Sequence, residues 1–256
     1  MSRRNEMLKE MGLTPVWRLR ERVAPVEAPL AAPAATSAHA APAVEQRPPA
    51  APGTNADGRR AVIMRMDWPA LKARVAGCVD CRLHQQRKRT VFGVGDEKAE
   101  WLFVGEGPGA EEDQQGEPFV GQAGKLLDNM LAAVRLKRGE NVYIANTVKC
   151  RPPGNRNPAP DEAAACEPYL KRQIELLQPR LIVALGKVAA VNLLGRDASI
   201  ASLRGRVHDY MGIPLIVTYH PAYLLRTLPD KAKAWADLCF AVETMRGLQT
   251  QDRAPT

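Results

Sequence analysis

Trp101-Leu102-Phe103-Val104-Gly105-Glu106-Gly107-Pro108-Gly109 is the stretch whose reading decides the fold. Trp101 to Val104 is a short apolar run of the kind that forms a buried strand, and the glycines after it let the chain turn sharply. The pattern recurs downstream in Val142-Tyr143-Ile144-Ala145-Asn146, Leu181-Ile182-Val183-Ala184-Leu185 and Leu215-Ile216-Val217-Thr218-Tyr219. Helical stretches separate these runs. Gly121 to Leu136 carries Ala123, Leu126, Leu127, Met130, Leu131 and Val134 on one stripe, Asp161 to Leu177 is bracketed by Pro160 and Pro179, and Asp230 to Leu248 closes the chain. Strands alternating with helices predict one α/β domain of three layers, a central parallel sheet with helices on both faces. Ligands of such sheets sit beyond the carboxyl ends of the strands. Glu106, Asn146 and His220 each fall at or just after a strand end, so three polar groups from distant segments are expected in one crevice.

The domain is expected to span residues 61–248. Before it, Val23 to Gly58 is mostly Ala and Pro without periodicity, which reads as a disordered linker covering 23–60. Residues 1–22 read as a short amphipathic peptide that either docks on a protein partner or folds back on its own domain, and 249–256 as a disordered tail. Met1 to Arg22 has no uninterrupted apolar core and contains Glu6, Glu10 and Glu21, so a secretory signal is not expected. No run approaches the ~18 apolar residues of a membrane span. A cytoplasmic monomer with reduced thiols and no membrane association follows as the expectation. The net charge is +8; residues 1–60 hold nine Lys or Arg against six Asp or Glu, so most of the excess lies on the domain. An anionic partner is plausible on that ground.

Four cysteines are spaced C-x2-C, then 68 residues, then C-x15-C: Cys78, Cys81, Cys150 and Cys166. Thiolates gathered from distant segments suit a cluster or metal that staples a folded domain. A [4Fe–4S] cluster is the expected occupant and zinc the alternative; disulfides would need an export route. Cys239, in an apolar run, reads as a packed thiol.

Gly105 to Gly109 does not match a P-loop, and the acidic Ala110-Glu111-Glu112-Asp113 after it is awkward for phosphate. A polar neutral ligand or an oriented water fits better, although a plain tight turn has the same composition. Phe119, framed by Gly116 and Gly121, is either core or a stacking platform. In His220-Pro221-Ala222-Tyr223-Leu224-Leu225-Arg226, the His could donate to a developing negative charge. Tyr223, Leu224 and Leu225 form an apolar tip like the wedges inserted into duplexes, or else begin a helix that buries its leucines. Arg87-Lys88-Arg89, Arg204 and Arg206 are either exposed charge or phosphate contacts.

Taken together, Cys78-x2-Cys81, Gly105-Glu106-Gly107-Pro108-Gly109, Gly116-x-Pro118-Phe119-Val120-Gly121-x-Ala123-Gly124, Asn146-x-Val148-Lys149-Cys150-Arg151-Pro152-Pro153, Cys166 and the His220 to Arg226 segment resemble the family 4, iron–sulfur uracil-DNA glycosylases. The resemblance runs in order over roughly residues 70–246, and as a set the motifs are specific. It implies hydrolysis of the N-glycosidic bond of uracil in single- or double-stranded DNA, after the base is flipped out of the stack. It further implies that Phe119 stacks on uracil, Asn146 pairs with its amide edge, and N–H groups around Gly107 meet its carbonyls. Glu112 would exclude the methyl of thymine, His220 would stabilise the departing anion at O2, and Glu106 would orient water. Leu224 is the expected wedge, and Lys149, Arg151, Arg156, Arg206 and Arg226 the expected phosphate contacts. The loop Gly154 to Pro160 lacks the His of a related branch that traps uracil covalently, which implies turnover. A non-enzymatic nucleic-acid-binding module would need the cysteines and basic loops but not the convergent Glu106, Asn146 and His220. A mononucleotide-binding enzyme would need a phosphate-binding lysine in the first turn.

Overall fold

The computed structural model describes residues 55–251. The peptide 1–22, the linker up to residue 54, and residues 252–256 lie outside the described residues. In chain order the elements are α1 (Asn55–Ile63), α2 (Trp68–Ala76), β1 (Val94–Gly95), β2 (Trp101–Gly105), α3 (Ala110–Gln115), α4 (Gln122–Ala133) and β3 (Val142–Asn146). They continue with α5 (Pro160–Leu177), β4 (Leu181–Leu185), α6 (Lys187–Leu194), α7 (Ile200–Leu203), β5 (Val207–Tyr210), β6 (Ile213–Thr218), α8 (Pro221–Leu224) and α9 (Lys231–Gln251).

The six strands form one sheet in the order β1-β3-β2-β4-β6-β5. The central four are parallel, as the alternating pattern predicts. Both edges differ from the expectation, because β1 and β5 pair antiparallel. Two-residue β1 and amphipathic β5 lack the long apolar run that marks the inner strands.

The sheet divides the core in two. Leu102 and Val104 face Leu170 and Ile174 of α5 on one side. Trp101 and Phe103 face Leu127 and Leu131 of α4, with Leu238 and Met245 of α9, on the other. Each such fully buried aliphatic side chain contributes about 1.5–3 kcal/mol. A third cluster joins Ile63, Leu71 and Val75 of the first two helices to Cys78, Cys150, Cys166 and Tyr169.

Helix α1 starts at Asn55, ahead of the boundary expected at residue 61, and is tied to the rest of the fold. Arg59 pairs with Asp80 at 3.0 Å and also donates to the Ala165 carbonyl, while Arg60 pairs with Glu167 at 2.6 Å. Polar composition hides this turn from a reading that looks for apolar stripes.

Candidate active site and cysteine cavity

The sheet's register sets the site. Gly105 of β2 lies opposite Asn146 of β3, so Glu106, one residue on, emerges beside Asn146. The loop after β2 is held there by Thr147 N–H donating to the Gly105 carbonyl at 2.9 Å and Val148 N–H to that of Glu106 at 3.3 Å. His220 follows β6, two strands away from β2, and reaches over the end of β4. Gly186 permits that passage: it has φ +93°, and a Cβ there would meet His220 Cβ at 2.8 Å. The three residues expected to converge therefore line one cleft of about 450 Å³, together with Gly107, Glu112 and Phe119. That volume suits a small ligand.

Asn146 is buried at the floor, and among the described residues its Oδ1 has no hydrogen-bond partner. A buried acceptor left open carries a desolvation cost, so it points to a ligand donor. Gly105 is required beside it, because a Cβ there would lie 2.5 Å from both Asn146 Oδ1 and Phe119 Cζ. Phe119 is buried, with its ring 5.5 Å from the His220 ring. Its backbone takes φ +55°, a left-handed conformation that costs of order 1–3 kcal/mol in a non-glycine residue.

His220 Nδ1 accepts the Ala222 N–H at 3.1 Å. A neutral ring that accepts at Nδ1 carries its proton on Nε2. Burial, with Arg226 nearby, pushes the His220 pKa down to about 4, which keeps the ring neutral at pH 7. Glu106 shows the opposite perturbation: burial raises its carboxyl pKa. Among the described residues its carboxylate has no hydrogen-bond or ion-pair partner, and it lines the cleft.

Glu112 lines the cleft and also braces it. One oxygen accepts from Gly109 N–H at 3.1 Å; the other accepts from Val120 at 3.0 Å and Gly121 at 3.1 Å. It thereby ties the Gly-rich turn to the loop that carries Phe119.

The expected DNA-facing residues divide. Arg226 is exposed at the cleft rim, Arg206 is exposed before β5, and Arg151 is half-buried beside Asn155. Arg156 lines the cleft, but its guanidinium is engaged by Glu162 at 2.7 and 2.8 Å. Two expectations are corrected. Lys149 cannot contact a phosphate: it is 1% exposed and donates to the Asn146 carbonyl at 2.9 Å. Leu224 cannot be the wedge: it is 1% exposed and packs on Tyr219 and Ala234, whereas Leu225 is 42% exposed. Arg204 is also no phosphate contact, being paired with Asp237 at 2.6 Å and seated over the Tyr219 ring.

Cys78, Cys81, Cys150 and Cys166 line a second cavity. Donors surround the sulfurs: Tyr169 O–H to Cys78 at 3.4 Å, Arg87 Nη1 to Cys150 at 3.1 Å, and Lys149 N–H to Cys166 at 3.2 Å. Burial pushes the Cys166 thiol up to about 12 and raises those of Cys81 and Cys150. Among the described residues no group of three or more His, Cys, Asp or Glu is arranged to hold a metal ion. Lys149 links the two sites, with its backbone on Cys166 and its side chain on Asn146. Sequence reasoning missed Asp80 and Tyr169, which bond to one another at 2.7 Å beside Cys78. Asp80 lies inside the C-x2-C pair and Tyr169 one helical turn after Cys166, so both could have been sought there.

A mixed sheet whose central parallel strand ends gather an open carboxylate, an orphaned amide, a neutral imidazole and an aromatic ring defines an α/β enzyme with a cleft for a planar polar ligand. The sequence profile of the Uracil DNA glycosylase superfamily matches residues 92–239, and the chain belongs to that superfamily. It is 47% identical over 159 residues to the type-4 uracil-DNA glycosylase of Archaeoglobus fulgidus, covering 59% of this chain and 79% of that one. For the type-4 enzyme of Thermotoga maritima the identity is 48% over 162 residues, covering 62% and 84%. For that of Pyrobaculum aerophilum it is 44% over 183 residues, covering 68% and 93%.

Proposed function

We propose that this chain is a monofunctional glycosylase that flips uracil out of DNA and hydrolyses its N-glycosidic bond, leaving an abasic site for base excision repair. The observation that carries the reading is the unpartnered Oδ1 of Asn146 at the floor of the cleft, beside Phe119. Uracil presents an N3–H donor next to its O4 acceptor. Asn146 accepts from the first and donates to the second, which satisfies the orphaned oxygen. Phe119 stacks on the ring, and the backbone N–H groups around Gly107 face its carbonyls. Glu112 stands at the C5 side, where a thymine methyl would meet a carboxylate already fixed by three backbone donors.

Cleavage develops negative charge on the base and positive charge on the sugar. His220 meets the first as a neutral donor through Nε2–H, and such a preorganised donor is worth about 10²–10³ in rate. The carboxylate of Glu106 favours the oxocarbenium-like sugar and orients the attacking water, its raised pKa bringing it closer to a useful base. Arg226, Arg206 and Arg151 take DNA phosphates on one or two strands, and the exposed Leu225 stands at the rim where the flipped base leaves a gap.

The donor set fits a [4Fe–4S] cluster. Four thiols line one cavity ringed by N–H and O–H donors, and a cation is what would let thiols this buried ionise. Bound there, the cluster supplies a cross-link between distant segments rather than chemistry. Reduced thiols support a cytoplasmic setting; the protein acts there as a monomer, and its N-terminal peptide takes a protein partner. No helix among the described residues is long and apolar enough to cross a membrane.

The test is incubation of purified protein with an oligonucleotide carrying one uracil, followed by alkali. Cleavage at the uracil, and none at thymine in the same context, is expected. An intact uracil strand at enzyme excess would overturn the reading.

A further inference from the structure

We propose that Arg138, which lies outside the cleft, is a positioning residue that holds Phe119 in its strained backbone conformation and so keeps the stacking ring in place. The inference rests on the reading of Phe119 as the surface on which the base stacks. Arg138 sits in the turn between Lys137 and Glu140, a segment with no part in the cleft lining. Its guanidinium is committed on three sides: Nη1 donates to the Pro118 carbonyl at 2.8 Å, Nη2 to the Phe119 carbonyl at 2.8 Å, and Nε to Asp128 at 2.9 Å. Asp128 lies on α4, so the guanidinium is itself anchored to a rigid element.

The loop needs such a clamp. Phe119 has φ +55°, which a bulky residue leaves unless its surroundings over-determine it. Glu112 holds the loop from the cleft side through the N–H groups of Val120 and Gly121, while Arg138 holds the preceding carbonyls from the opposite side. Helix α4 supplies the seat: a Cβ at Gly124 would lie 1.8 Å from the Phe119 carbonyl oxygen, so only glycine lets the loop settle there. A planar fork fits two adjacent carbonyls and a carboxylate at once, whereas a lysine ammonium is a point charge that cannot span them equally. Loss of the clamp frees Phe119 to relax toward negative φ, which swings its ring away from His220. Small misplacements of positioning groups cost rate far more than affinity.

The experiment compares Arg138→Ala and Arg138→Lys with the parental protein, alone and in a Phe119→Ala background. Single-turnover excision of uracil should fall about tenfold for Arg138→Ala and less for Arg138→Lys, with DNA affinity within about twofold of parental. In the Phe119→Ala background, Arg138→Ala should cost less than about twofold more, because the ring it positions is gone. A second readout does not depend on activity. The His220 imidazole proton resonances, which sense the Phe119 ring 5.5 Å away, should move in Arg138→Ala. If the two losses multiply independently, or if the His220 resonances stay at parental positions in folded Arg138→Ala, the proposal is overturned. If the parental protein excises no uracil while the resonances do move, the functional reading fails and the clamp stands.

Discussion

The cleft and the cysteine cavity are connected through Lys149, and they treat polar groups in opposite ways. In the cleft, hydrogen-bonding capacity is left open: the Asn146 oxygen is buried without a partner, and the Glu106 carboxylate has none among the described residues. Around the cysteines the capacity is used up, with Arg87, Tyr169 and the Lys149 backbone on the sulfurs, and Asp80 held by Arg59, Arg74 and Tyr169. An open buried acceptor costs stability, and at Asn146 it faces a cleft where a substrate can satisfy it; a saturated shell contributes stability. Chemistry and scaffolding are thus separated within one fold, with Lys149 as the covalent and hydrogen-bonded link between them.

The largest expected effect breaks the cleft and leaves the cavity alone. His220→Ala should slow single-turnover uracil excision by about 10²–10³ while iron content and DNA affinity stay parental. Loss of iron in that variant would show the two regions to be coupled. Glu106→Gln comes next, with a loss of about 10². The pH profile sharpens the assignment. His220 has a pKa of about 4 and stays neutral above pH 5, so it adds no titration between pH 5 and 8. Glu106 must be ionised, and its raised pKa makes the parental rate fall as pH drops toward that value from above. Glu106→Gln should flatten this acid limb; an unchanged limb would assign it to another group.

Breaking the cavity should act on stability first. Cys166→Ser should lose its iron and colour, and lose roughly 2–3 kcal/mol, which at about 2–4 °C per kcal/mol lowers Tm by about 4–12 °C. Iron and Tm at parental levels would remove Cys166 from the ligand set. The smallest effect concerns the domain's edge. A chain starting at Ala61 rather than Asn55 loses the Arg59–Asp80 and Arg60–Glu167 pairs. Solvent screening limits each partly exposed pair to about 0.2–1 kcal/mol. The two pairs together come to about 0.4–2 kcal/mol, so calorimetry should show a Tm lower by about 1–8 °C, with the excision rate within about twofold. No change in Tm would mean these arginines do not anchor α1.

Legibility followed burial. The inner strands were readable because they are continuous apolar runs, and the convergence of Glu106, Asn146 and His220 followed from their places at strand ends. Edge strands β1 and β5 were not, since Val94–Gly95 is too short and Val207–Tyr210 alternates exposed and buried residues. Leu224 ends a four-residue helix and Leu225 is its C-cap, an element too short for periodicity to say which one turns inward. The expectation of a phosphate contact at Lys149 rests on lysine being almost never fully buried, yet its ammonium is held inside by the Asn146 carbonyl. Arg138 left no signal at all, because its contacts with Phe119 cross nineteen residues of chain and depend on a turn.

The most direct test of the account is Asn146→Ala, because the whole reading grows from the oxygen that this change removes. Released uracil is measured at single turnover beside iron content and DNA affinity on the same preparation. A loss of about 10²–10³ in excision rate, with iron and affinity at parental values, is the predicted result. Excision at the parental rate would contradict it and place the base elsewhere.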